Sequence, residues 1–168
     1  VLVAVDGGGS FTSADYTIAL TITVDEDSGK YTQSGFATAA SAGPSNESSQ
    51  KISYVVALNT GGASLFAEVP TISENGTLSF VPAANANGTA TLTVSVKDDG
   101  GVLNGGVDTA VANNGTGSFT VVISPVDDAP TATAQAVAVT EDTAKVITLA
   151  GTDPEGASLT YEVVTKQT

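Results

Sequence analysis

Three acidic pairs near the C-terminus have the residue types and the spacing to bind a cation. Each pair stands at the end of a run of Val, Thr and Ala, a composition that favours β-strands. The pairs are Asp127 with Asp128, Glu141 with Asp142, and Asp153 with Glu155. Carboxylates that serve only solubility are expected throughout the polar face, whereas these are concentrated at strand ends. The spacing therefore predicts that some of them share a metal ion.

Composition restricts both the ion and the partners. The 168-residue chain has 18 Asp and Glu residues against 5 Lys and Arg residues, which gives a formal net charge of −13. This charge repels nucleic acid and anionic lipid, and it attracts divalent ions and basic partners. Because His, Cys and Met are absent, the usual ligands of zinc, copper and haem are missing. The oxygen ligands that remain suit calcium or magnesium.

Hydrophobic residues alternate along the chain with a period of two, which is typical of half-buried strands. In the stretch TATLTVSVK, one face consists of Ala90, Leu92, Val94 and Val96. The same alternation occurs in YTIALTITV, KISYVVAL, SFTVVIS and SLTYEVV, with Asn-Gly turn pairs such as 75–76 and 87–88 between some of these runs. Many short strands separated by turns predict an all-β, antiparallel sandwich.

The side chains do not favour catalysis. A Ser or Thr nucleophile needs a base, and the chain has no His. The acids are predicted at domain ends and not across a cleft, as a glycosidase would need. No glycine-rich loop joins a strand to a helix to hold phosphate, and no apolar run approaches the roughly 20 residues of a membrane span. We therefore expect neither an enzyme nor a membrane-inserted protein.

Internal repetition indicates how the chain is divided. VAVDGGG followed by TIALTITV resembles VSVKDDGG followed by SFTVVISPV, with Asp6 in the position of Asp99. We expect residues 1–25 to be the C-terminal strands of a preceding repeat, 26–128 a complete sandwich, and 129–168 the N-terminal strands of a following repeat. Since the sequence starts at Val1 without Met, we expect it to be part of a longer tandem array.

The order of several short motifs resembles that of a known family. SPVDDAP, TED, GTDPEGASLTYEVV and a DGG loop before a last strand are similar to motifs in the cadherin-like and bacterial immunoglobulin-like tandem repeats of large calcium-dependent surface adhesins. The middle segment NGTLSFVPAANANGTATLTVSVKDDGG resembles one recurrent repeat type of such proteins. The resemblance implies immunoglobulin-like, cadherin-like Greek-key sandwiches in tandem, an extracellular location at the cell surface, and calcium as the ion.

The resemblance also implies which residues bind calcium at the junctions between repeats. At the second junction they would be Glu26, Asp127, Asp128, Asp153 and Glu155. At the other end of the middle domain they would be Asn46, Glu47, Asp98 and Asp99. Carboxylates from separated segments would have to converge, because calcium takes six to eight oxygens. A second interpretation stays open, in which the acids are solvated surface charge and KDDGG is simply a turn.

The function implied is that of a spacer in a bacterial surface adhesin or matrix protein. Calcium ions that bridge successive sandwiches would stiffen the array and hold a distal binding module away from the cell. The partners are then calcium and the neighbouring repeats of the same chain. Two alternatives stay open. One is a carbohydrate- or protein-binding module that uses the loop 42–49, and the other is a filament subunit that pairs strands head-to-tail with other copies.

Overall fold

The computed structural model describes residues 2–3, 20–38, 42, 48–101, 108–111 and 117–162. The chain divides into two compact units, Val1–Pro125 and Val126–Thr168, called unit 1 and unit 2 below. Within the described residues there are β-strands and one short 3-10 helix, Ala63–Leu65, and no α-helix. The prediction of an all-β protein is confirmed.

Most of the strands belong to unit 1. They are β1 (Leu2–Val3), β2 (Leu20–Asp25), β3 (Tyr31–Gln33), β4 (Ala37–Thr38), β5 (Ile52–Thr60), β6 (Phe66–Ile72), β7 (Leu78–Pro82), β8 (Gly88–Asp98), β9 (Thr109–Val111) and β10 (Ser118–Ser124). The larger sheet has the order β2-β10-β8-β5, with β9 also paired to β8, and the smaller sheet has the order β3-β7-β6. Strands β1 and β4 form a separate pair.

Strand β8 is the centre of the larger sheet, and its sequence explains why. Its eleven residues pair with β5 along one side and with β10 and β9 along the other. Ala90, Leu92, Val94 and Val96 are all buried, as their alternation predicts, while the Thr and Ser residues between them are half-buried or exposed. Inward residues of one face can be buried only if a second layer covers them.

The smaller sheet supplies that second layer. Its strands contribute Phe66, Ile72, Leu78 and Phe80 to one hydrophobic cluster that also contains Phe36 and the inward residues of β2, β8 and β10. The Phe36 and Phe119 rings meet edge to face with centroids 5.1 Å apart, and Phe66 meets Phe80 in the same way at 5.8 Å. Two sheets therefore pack as a sandwich around one core in unit 1.

Strand β2 differs from the prediction in two respects. It runs parallel to β10, with Leu20 opposite Phe119 and Asp25 opposite Ser124, so the sandwich is not purely antiparallel; β1 and β4 are also parallel. Moreover, β2 was expected in a preceding repeat, yet its six residues pair within the larger sheet of unit 1. Alternation identifies a strand and its buried face, but it specifies neither the direction nor the identity of the neighbouring strand.

The turn at Asn75 and Gly76 follows the sequence prediction. The backbone of Gly76 has φ +77°, which glycine adopts without steric cost. Its carbonyl accepts the N–H of Ala37 at 3.0 Å, and a Cβ atom at this position would collide with the carbonyl oxygen of Ala37. The turn therefore joins the β6–β7 hairpin closely to the segment that carries β4.

Unit 2 has little regular structure within its described residues, 126–162. Two short strands, β11 (Thr131–Ala132) and β12 (Gly151–Thr152), form an antiparallel pair. The strand expected over 158–164 is absent from the described part of that range, 158–162, and Tyr161 is exposed. An open cleft is lined by Val137, Ile147, Leu149 and Tyr161, among others. The alternating pattern is present, but the described residues of unit 2 offer only one pair of two-residue strands, which is too small a sheet to stabilise a further strand.

Candidate cation sites

Glu26 lies at the end of unit 1 where β2 and β10 finish side by side. Its backbone N–H donates to the carbonyl oxygen of Ser124 at 2.9 Å, which extends the parallel pairing of the two strands by one bond. The residue is only 1% exposed. A buried carboxylate is costly unless hydrogen bonds or a cation compensate for the lost water. Among the predicted ligands that the structure describes, Glu26 is the one that is buried.

Asp153 organises a turn in unit 2. Its Oδ1 atom accepts the N–H groups of Glu155 at 3.1 Å and Ala157 at 2.9 Å, and its carbonyl accepts the N–H of Gly156 at 3.1 Å. Asp, Pro and Gly at the first, second and fourth positions of a turn are each favoured for a separate conformational reason. The motif DPEG thus holds the carboxylates of Asp153 and Glu155 on one short, hydrogen-bonded loop.

The segment after Pro125 lies against this turn. The backbone N–H of Asp128 donates to Oε2 of Glu155 at 3.1 Å. Asp127, the residue before it, is exposed. The structure therefore brings two of the three segments of the predicted second junction together within unit 2, although the contact is a hydrogen bond from the backbone and not a shared ion.

Asp98 and Asp99 both accept backbone hydrogen bonds at the end of β8. Oδ1 of Asp98 accepts the N–H of Gly100 at 2.8 Å, and Oδ1 of Asp99 accepts the N–H of Lys51 at 2.9 Å. The bond from Gly100 to Asp98 is what the turn interpretation of KDDGG predicts, whereas the bond from Lys51 to Asp99 joins the end of β8 to the segment before β5. Asn46 and Glu47, the other two residues expected at this end of the domain, lie outside the described residues.

The predicted ligands do not form a complete site among the residues that the structure describes. In that part of the chain, no group of three or more acidic, His or Cys side chains is arranged to hold a metal ion. Calcium takes six to eight oxygens, and the described contacts of Asp153 and Glu155 are to backbone N–H groups. Calcium binding stays a prediction.

Asp108 is a charged residue that the sequence reasoning missed. The hydroxyl of Thr109 donates to its Oδ1 at 2.9 Å, and Nζ of Lys97 lies 3.5 Å from its Oδ2. The Thr109 hydrogen bond first, and then the Lys97 charge, hold the pKa of the Asp108 carboxyl below its ordinary value. The register that brings β9 beside the end of β8 creates this pair, and no spacing in the sequence indicates it.

Ser48 and Lys51 have the S-x-x-K spacing of Ser enzymes that use a Lys base. The prediction of a non-catalytic protein overlooked this spacing. Both residues are exposed, and they lie in the turn just before β5. The lysine of such a nucleophile–base pair usually lies in a desolvated pocket, whereas the Lys51 side chain is exposed.

Comparison with protein-family models gave no match, and comparison with curated proteins gave none either. Within the described part of the chain, no helix has the length and hydropathy needed to cross a membrane.

Proposed function

We propose that the chain is a spacer segment of a bacterial surface adhesin or extracellular matrix protein, stiffened by calcium between its repeats. The observation that carries the proposal is that acidic residues cluster where unit 1 ends. Glu26 is buried and hydrogen-bonded to Ser124 at the end of β10, and the chain reaches Asp127 and Asp128 three residues later. Carboxylates that repel one another without an ion would hold the segments together once calcium is bound.

The strand order supports an immunoglobulin-like, Greek-key assignment for unit 1. In that fold, strands B, E and D share one sheet and strands C, F and G share the other. Strands β3, β7 and β6 have the order B-E-D, and β5, β8 and β10 have the order C-F-G. Strand β2 would then be the first strand of the domain, placed beside its last strand. Tandem domains of this kind are suited to a role as rigid spacers.

In the proposed junction, the two units supply different parts of one ligand set. Unit 1 contributes Glu26, and unit 2 contributes Asp127 and Asp128 together with the DPEG turn that presents Asp153 and Glu155. Because the hydrogen bond from Asp128 to Glu155 already orders two of these segments, calcium would need to order only the third. The ion would remove rotational freedom between the units, and a long array would stay extended from the cell surface.

The same composition supports a non-catalytic role. The chain has neither His nor Cys, which are the usual general base and a common nucleophile of enzymes. We propose that the protein acts mechanically, with calcium and neighbouring repeats as its partners.

Thermal unfolding in calcium and in chelator tests the proposal. Calcium at a hundred times its dissociation constant is expected to stabilise the native chain by about 2.7 kcal/mol. Asp153→Asn retains the side-chain oxygen that accepts the turn hydrogen bonds but removes the charge, so it should reduce the calcium effect. Asp142→Asn is the matched control, since it makes the same charge change at an exposed turn residue outside the proposed junction. Equal melting curves in calcium and chelator at matched ionic strength would reject calcium binding.

A further inference from the structure

The turn that follows β2 recurs in unit 2 with the same sequence signals and the same backbone conformation. The sequence VDEDSGK, residues 24–30, corresponds in order and spacing to VTEDTAK, residues 139–145. Asp27 has φ +61° and Asp142 has φ +58°, a left-handed conformation that is uncommon outside glycine. In both turns the N–H after this Asp donates to the carbonyl oxygen three positions earlier, at 3.4 Å in unit 1 and 3.3 Å in unit 2. Segment 134–140 is therefore the counterpart of β2 in unit 2.

The two counterparts differ in what lies beside them. β2 pairs along its whole length with β10, in parallel, and its Ile22 side chain is only 6% exposed. Within the described residues, segment 134–140 forms part of no strand. Val137, the counterpart of Ile22, is 36% exposed, and Val139 is 65% exposed. The sequence of the segment, AQAVAVT, alternates like a strand and carries no charge, so it has the residues of β2 without the neighbour that β2 has.

The backbone edge that β10 covers in unit 1 is accessible in unit 2. The N–H of Glu26 donates to Ser124 of β10, and alternate residues of a strand present their N–H and C=O groups to the same side. In a strand over segment 134–140, Glu141 and the odd-numbered residues before it would therefore face the incoming partner. The carbonyl oxygen of Ala138, which accepts Nζ of Lys145 at 2.9 Å, belongs to the opposite side. That contact leaves the partner edge clear.

An apolar cleft adjoins this edge. Its lining includes Val137, Ile147 and Leu149. In unit 1, β10 supplies the apolar side chains at alternate positions that pack beside β2, and Phe119 and Val121 among them are at most 2% exposed. A strand of the same pattern beside segment 134–140 could bury its apolar side chains in this cleft, which supplies the driving force for binding.

We propose that segment 134–140 binds one strand, the closing strand of a repeat of the same kind as unit 1. This strand would run parallel to the segment, as β10 runs parallel to β2, and like β10 it would carry no charge. Val137 would lie opposite the residue equivalent to Val121, since Ile22 lies opposite Val121. The β10 strand of a second copy does not fit this role, because β2 and β8 already pair with its two edges. The inference goes beyond the proposed spacer function and does not depend on calcium.

A labelled peptide of residues 117–126, GSFTVVISPV, added to the full chain in chelator, tests the proposal by fluorescence anisotropy. Wild-type protein should bind it saturably. Val137→Asp places a charge opposite an apolar residue and should weaken binding by at least about tenfold. Val69→Asp is the matched control, because it makes the same change at a Val of unit 1 that is 51% exposed, and it should bind like wild type. A peptide that carries Val121→Asp should not bind.

Amide hydrogen exchange and a spin label on the peptide define the pairing. In the complex, the amides of Val139 and Glu141 should exchange more slowly, whereas the amide of Ala138 should change less. A spin label at the N-terminus of the peptide should broaden NMR signals near Gln135, because the pairing is parallel. Broadening near Glu141 instead would mean antiparallel pairing and would contradict the proposal.

Three other results would overturn the proposal. One is a peptide that does not bind, and another is binding that Val137→Asp leaves intact. The third is self-association of the chain through segment 134–140 without peptide, which would assign the site to a second copy. All of these measurements are made without calcium, so they are independent of the outcome for the junction.

Discussion

Unit 1 and unit 2 carry the same kind of sequence, yet they bury it differently. Val94 of β8 is fully buried, whereas Val146 of unit 2 is 92% exposed, although both stand in runs rich in Val, Thr and Ala. In unit 1 the smaller sheet covers the inward face of β8. In the described part of unit 2 no residue is buried. Alternation therefore selects the residues that can be buried, and a second layer of structure decides whether they are buried.

Backbone pairing shows the same contrast. Strand β8 is hydrogen-bonded along both sides over most of its length, whereas β11 and β12 pair over two residues each. An isolated two-stranded pair is marginally stable in water. Unit 1 should therefore unfold cooperatively, while unit 2 contributes little to that transition.

The largest expected effect distinguishes the two units directly. Phe80 contacts both Tyr31 and Phe66 in the core, so Phe80→Ala should destabilise unit 1 by roughly 3–5 kcal/mol. Val146→Ala, a truncation at an exposed site in unit 2, should change the unfolding free energy by less than about 0.5 kcal/mol. Denaturant unfolding followed by circular dichroism measures both. Comparable losses of unfolding free energy in the two variants would mean that unit 2 has a core of its own.

A second prediction tests whether close packing in unit 1 extends to its turns. Gly76→Ala combines a strained backbone conformation with a collision against the carbonyl oxygen of Ala37, and it should cost roughly 2–4 kcal/mol. Gly35→Ala is the control: its φ is +66°, but nothing lies within reach of the added Cβ, so only the backbone strain of about 1 kcal/mol remains. Equal losses of stability in the two variants would show that the β4 segment moves away from the turn without cost.

Much of unit 1 is predictable from sequence for a simple reason. The buried face of β8 and the inward residues of β10 follow from a period of two, which is a local property. The partner of β2 does not, because Leu20 and Phe119 are brought together by the path of the whole domain. The strand expected around Tyr161 fails for the converse reason: its local pattern is correct, but the regular structure beside it in the described part of unit 2 is only the two-residue β11–β12 pair.

The candidate site shows the same division between local and non-local properties. The DPEG turn and the turn bond from Gly100 to Asp98 follow from residue preferences within a few positions, whereas the bond from Lys51 to Asp99 does not. The burial of Glu26 and the bond from Asp128 to Glu155 depend on which segments the fold brings together, so charge spacing indicated the region without giving these contacts. Asp108 was missed because its contact with Lys97 depends on how β9 aligns with β8, which no local pattern in the sequence indicates.

The smallest expected effect concerns a lysine side chain in each of the two units. In unit 1, Lys97 lies beside Asp108, whereas Lys145 of unit 2 donates to the carbonyl oxygen of Ala138. Thr109→Val should raise the pKa of Asp108 toward its ordinary value, and Lys97→Met should raise it by less, because the hydroxyl is the larger cause. NMR titration of the Asp108 carboxyl carbon measures both shifts. A larger shift in Lys97→Met would reverse the assigned order of causes.

The sign of the pH dependence follows from the same contact. The folded pKa of Asp108 lies below the unfolded value of about 3.8, so its contribution to stability is present above that value and is lost as the pH falls through the folded pKa. The contribution is small, because the pair lies at the surface. Lys145→Met in unit 2 serves as the control and should leave the acid dependence of unit 1 unchanged.

If calcium binds between the repeats as proposed, the two units should move as one body in its presence, and a distance measurement checks this. The chain has no Cys, so Thr71→Cys and Thr148→Cys place one spin label on an exposed position of each unit. A control pair, Ser28→Cys with Thr71→Cys, lies wholly within unit 1. We expect calcium to narrow the inter-unit distance distribution and to leave that of the control pair unchanged. An inter-unit distribution of the same width in calcium and in chelator would contradict it.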